Sequence, residues 1–143
     1  MKPHLGLKRE QTAGVVELLT RLLADEIVLQ TKTRNYHWNV TGLHFGPLHA
    51  LFEKQYDELA EVVDEVAERI RAVGGLAIGT LSEFQEHTRL KEEPRKHPTA
   101  RKMLGTLLED LRAGVTDPRT GAELVAAFYE CDTGALGSCD DSG

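Results

Sequence analysis

Between Pro47 and Val73 the apolar residues Leu48, Phe52, Tyr56, Leu59, Val63, Val66, Ile70 and Val73 recur at three- and four-residue steps. That period belongs to a helix that buries one face. Pro47 suits a first helical turn, where its missing N–H is not needed, and Gly74-Gly75 closes the helix. With this helix and no strand-like alternation or internal repeat elsewhere, the expected fold class is all-α.

The same helix carries a second stripe. At roughly 100° per residue, the steps from His49 through Glu53 and Asp64 to Glu68 turn by about 40°, 20° and 40°, so these four share one face. They do not share a depth: Glu53 and Asp64 lie about 16.5 Å apart along the axis, far beyond a metal-to-oxygen bond of roughly 2 Å. One subunit therefore makes two half-sites. The positions are symmetric about Glu58-Leu59, so a second copy laid antiparallel across a two-fold axis would bring His49 and Glu53 of one chain against Asp64 and Glu68 of the other. The preceding helix could add His37 at the rim. Two imidazoles with three carboxylates suit iron better than a structural zinc, which prefers thiolates. Asp57, Glu58, Glu61 and Glu65 also lie here, and an acid-rich helix face is commonly just solvated.

The ordered set His37-Trp38-Asn39-Val40-Thr41-Gly42, Phe45, Leu48-His49, Phe52-Glu53, Asp64, Ala67-Glu68-Arg69 and Gly74-Gly75 resembles the signature of the Dps family, the mini-ferritins that protect DNA during starvation. The likeness takes in Gly79-Thr80-Leu81 and His87-Thr88-Arg89-Leu90-Lys91-Glu92, and runs from about Glu10 to Met103. It implies a ferritin-like four-helix bundle with a short cross-helix between the second and third helices. It also implies a ferroxidase centre at the dimer two-fold: His37, His49 and Glu53 as iron ligands from one subunit, Asp64 and Glu68 from its partner. Glu53 departs from the aspartate common in the family. The implied activity is oxidation of Fe(II) by hydrogen peroxide, with ferric iron stored inside a hollow dodecamer and DNA protected from oxidative damage.

The rest of the chain is read as one domain of 143 residues with an N-terminal tail over 1–10. A first helix is expected from about Gln11 to Trp38, with Val15, Leu18, Leu19, Leu22, Leu23 and Ile27 as its core stripe. Trp38 reads as an aromatic anchor in the inter-helix core, and alternatively as a shield for the metal site. Leu81 to Phe84 suits the cross-helix, and a third long helix should run from Pro98-Thr99 through Leu111. Residues 115–143 depart from the family pattern. Asp117-Pro118 begins only a short helix, so the last bundle helix is expected to be shortened, and Gly134 to Gly143 resembles a disordered end. Cys131 and Cys139 match no zinc or redox spacing and read as reduced. His4, His44, His87 and His97 read as surface or capping residues.

A net charge of −6 has the wrong sign for a chain that coats nucleic acid with its whole surface. The basic stretch Arg89 to Lys102 holds six basic against two acidic residues and reads as a connector paired with neighbouring acids, so DNA binding is expected to be weak or absent. With no run of about eighteen apolar residues and no signal-peptide core, no membrane partner is expected and the location is cytoplasmic. Two rivals remain: an architectural DNA-protecting protein without ferroxidase activity, and a dimeric iron-binding remnant unable to form the cage. A di-iron oxidase on a single-chain bundle would need paired Glu-x-x-His motifs, and none occurs.

Overall fold

The computed structural model describes Gly6 and residues 8–113. The expectations placed on Asp117-Pro118, the two cysteines, His4 and the glycine-rich end lie outside these residues. Within them the chain forms α1 (Arg9–Asn39), α2 (Phe45–Ala72), α3 (Leu81–His87) and α4 (Ala100–Arg112), with no strand. Three of these are bundle helices and α3 is the expected cross-helix, longer than Leu81 to Phe84 by three residues.

The α1–α2 hairpin is the frame. Val40, buried at the C-terminus of α1, donates its N–H to the Tyr36 carbonyl at 2.8 Å. Gly42 then takes φ 103°, a backbone state that L side chains rarely adopt, and its carbonyl accepts from Phe45 N–H at 3.2 Å to start α2. Pro47 falls in the first turn of α2, as its chemistry prefers. At the far end Gly74 has φ 91° and Gly75 N–H reaches the Ile70 carbonyl at 2.9 Å. A Cβ on Gly75 would stand 2.8 Å from Val16 Cγ2, so only glycine lets this end of the hairpin close on α1.

Two apolar clusters fill the helix interfaces. Val28, Leu29, Tyr36, Val40, Leu48, Phe52 and Leu59 meet Leu90, Ala100, Met103, Leu104 and Leu107, which docks α4. Leu23, Ala24, Val66 and Ile70 meet Phe84, which docks α3. Each fully buried Leu or Phe contributes about 1.5–3 kcal/mol relative to exposure. Leu18 is a correction to the expected α1 stripe: it is 67% exposed. It stands about 200° around α1 from Val16, which packs in the second cluster. Gln55 is not among the apolar residues of the α2 stripe, yet it is wholly buried between Phe52 and Leu59 at the same spacing.

Two ionic ties fix the connectors. Lys32 Nζ on α1 reaches Asp110 Oδ2 on α4 at 2.6 Å and the Lys91 carbonyl at 2.8 Å. Burial pushes the Asp110 carboxyl above its ordinary value despite that ammonium, so this pair orients α4 more than it stabilises a charge. In the basic connector, Arg89 pairs with Asp25 and Lys96 with Glu93, in keeping with the sequence reading.

Candidate metal centre

The hairpin sets His37, in the last turn of α1, against His49, in the second turn of α2. Their rings stack with centroids 3.7 Å apart and planes inclined by 18°. His37 Nδ1 lies 2.7 Å from the His49 carbonyl, and His49 Nδ1 lies 2.8 Å from the His37 carbonyl. A carbonyl oxygen has no proton to give, so each Nδ1 carries the proton and donates it. In the neutral ring this tautomer leaves Nε2 with its lone pair, the atom through which an imidazole so held binds a metal.

The two rings are nearly parallel, so their lone pairs do not converge on one point. The arrangement suits one metal per imidazole, two metals side by side, better than a bis-imidazole chelate of one ion. Phe45 stacks on His49 at 4.8 Å, Tyr56 meets His37 at 5.3 Å and 78°, and the Arg34 guanidinium lies 4.8 Å over the Tyr56 ring. Sequence reasoning used Phe45 as a motif residue and Tyr56 as core, and missed both as neighbours of the imidazoles. The four-residue step from Phe45 to His49 was the available signal.

The carboxylates stand apart from this pair. Glu53 lies one turn beyond His49 on α2 and is exposed, and Asp64 and Glu68, also exposed, lie farther along the same helix. Among the described residues no group of three or more His, Cys, Asp or Glu could hold a metal within one chain. Trp38 is 66% exposed, which corrects its reading as a core anchor. It sits about 200° around α1 from buried Tyr36 and so leaves the subunit interior. Leu43, at 86% exposed, and Phe45, at 46%, add apolar surface at the same end of the hairpin. His44 is a second correction: at the N-cap position of α2 it is buried, with no side-chain cap bond. His87 Nδ1 holds the Glu83 carbonyl at 2.8 Å, and His97 is exposed. No described helix is long and apolar enough to cross a membrane.

A family model described as the ferritin-like domain matches residues 16–127. DNA protection during starvation protein 2 of Bacillus anthracis is 37% identical over 110 residues, 77% of this chain and 75% of that protein. An uncharacterised low-temperature-induced protein of Nostoc sp. is 42% identical over 107 residues, and the match spans 60% of that relative's length. Among solved structures, a Dps protein from Vibrio cholerae O1, described as a member of a broad superfamily of ferritin-like diiron-carboxylate proteins, superposes with TM-score 0.73 at 30% identity, covering 95% of this chain and 86% of that one. DpsC from Streptomyces coelicolor superposes with TM-score 0.76 at 27% identity, covering 97% and 78%.

Proposed function

Because this chain belongs to the Dps proteins of the ferritin-like family, we propose that it is a ferroxidase that takes Fe(II) as substrate at a site shared by two subunits. His37 and His49 bind through Nε2, Glu53 supplies the carboxylate on their side, and Asp64 and Glu68 come from the partner across a two-fold axis. The cross-tied imidazole pair is the observation that carries this reading. Two rings, one from α1 and one from α2, each donate Nδ1–H to a main-chain carbonyl, while Glu53, Asp64 and Glu68 on α2 are exposed and no metal-holding group forms within the chain among the described residues.

Hydrogen peroxide is the oxidant. Two Fe(II) ions each give up one electron, and the two electrons break the O–O bond; with two protons the products are two Fe(III) and two waters. Because both electrons arrive together, hydroxyl radical is not released, and the carboxylates favour the more highly charged ferric product. Removing Fe(II) and peroxide protects DNA without holding it, which agrees with a chain of net charge −6 whose connector cations Arg89 and Lys96 are already paired. Storage of the product calls for a closed assembly, the dodecamer, in the cytoplasm. Anaerobic Fe(II) mixed with peroxide tests the proposal. The parent should oxidise iron rapidly, and the His37→Ala, His49→Ala double variant should be slower by at least about tenfold, the loss typical of removing a metal ligand shell contact. Equal rates would leave the architectural reading in its place.

A further inference from the structure

We infer that Phe45 and Tyr56 are positioning residues that preassemble the imidazole pair before either metal or a second subunit arrives. The inference rests on the ferroxidase reading for its purpose, but not for its geometry. A ring can stack on one parallel neighbour per face. His49 has His37 at 3.7 Å on one face and Phe45 at 4.8 Å on the other, so it cannot rotate about its own bonds without leaving both. His37 has His49 on one face and is met by Tyr56 at near right angles, the edge-to-face contact that ring quadrupoles favour. Tyr56 is itself held on its ring face by the Arg34 guanidinium and at its main-chain carbonyl by Gln30 Nε2, at 3.3 Å.

The carbonyl ties alone would not secure this state. Each is a single hydrogen bond between side chain and main chain, and a ring that flips about its Cβ–Cγ bond exchanges Nδ1 for carbon and breaks it. Rings packed on both sides block that flip. Phe45 matters most for His49 because it is the half-exposed end of the column and stacks on that ring. Tyr56 matters most for His37, which is otherwise buried. The two residues thereby keep both Nε2 lone pairs available at once, as an oxidation that draws one electron from each of two metals requires.

Nitrogen-15 NMR of the metal-free full chain tests this. In the parent, both imidazoles should show a single Nδ1–H tautomer with slowly exchanging protons. Phe45→Leu should shorten the lifetime of the His49 Nδ1 proton about two- to tenfold, and Tyr56→Leu that of His37 by a similar factor, the range set by one aromatic contact. Phe45→Tyr and Tyr56→Phe, which keep a ring in place, should restore the parent lifetimes. His87 is the internal control, because its Nδ1 holds the Glu83 carbonyl far from the column. Unchanged lifetimes in both leucine variants, or equal shortening at His87, would overturn the inference. Cobalt(II) titration followed by absorbance separates it from the reading beneath: binding should weaken in the leucine variants by the same factor. Selective lifetime changes with no cobalt bound by the parent would uphold the positioning role and refute the metal site.

Discussion

Asp25 is a carboxylate with no exposed surface, and every described partner it has belongs to the segment after α3. It accepts from Thr88 Oγ1 at 2.8 Å, from Arg89 N–H at 2.7 Å and from Arg89 Nε at 2.8 Å, and pairs with the second guanidinium nitrogen at 2.6 Å. A buried charge is tolerated only when saturated in this way. Its role is to pin the entry of the connector to the middle of α1, which sets where α4 begins. Asp25→Ala strands the Arg89 amide and loosens that pin, so it should cost about 3 kcal/mol of unfolding free energy in a denaturant titration. A change under about 1 kcal/mol would mean that water replaces the carboxylate freely. The motif His87-Thr88-Arg89 was legible in the sequence as a family likeness. The physical reason for Thr88 and Arg89 was not, because their acceptor lies more than sixty residues away.

At the level of elements, α3 shows what keeps a seven-residue helix in place. Thr80 Oγ1 accepts from Glu83 N–H at 3.3 Å, while Glu83 Oε2 accepts from Thr80 N–H at 2.9 Å, Gly79 N–H at 3.1 Å and the Thr80 hydroxyl at 2.7 Å. The Thr80 hydroxyl first, then the two amides, hold the Glu83 carboxyl below its ordinary value. A folded value below the unfolded one gives stabilisation that is complete above the unfolded value and lost as pH falls through the folded one. The α3 amides of Phe84 and Thr88, bonded to Thr80 and Phe84 carbonyls, should therefore lose hydrogen-exchange protection below about pH 4. Glu83→Gln should show no such step, and a step of the same size in that variant would contradict the assignment. Helices α1, α2 and α4 were legible from period and caps to within two residues, since burial of one face enforces the three-and-four spacing. The exposed sides of Leu18 and Trp38 were not, because the period says that a face exists and not which neighbour covers it.

For the whole molecule, the proposed function draws the site from two subunits: His37 on α1 with His49 and Glu53 on α2 of one, and Asp64 and Glu68 on α2 of the other. In the proposed site, where the structure leaves all three acids exposed, the shared stripe of His49, Glu53, Asp64 and Glu68 was readable from residue spacing. The stacked, cross-tied rings were not, because they depend on a turn at Gly42 that closes the hairpin to within hydrogen-bond reach. Complementation between two impaired chains tests the shared site most directly. One chain carries His37→Ala and His49→Ala, the other Asp64→Ala and Glu68→Ala, and the two are unfolded together and refolded as a mixture. A mixed pair holds one site with both imidazoles from one chain and both acids from the other. Peroxide-driven iron oxidation, slowed at least about tenfold in each chain alone, should return to about a quarter of the parent rate with random pairing. A mixture as slow as its separate components, once mixed pairs are shown by mass spectrometry to have formed, would contradict a site built from two subunits.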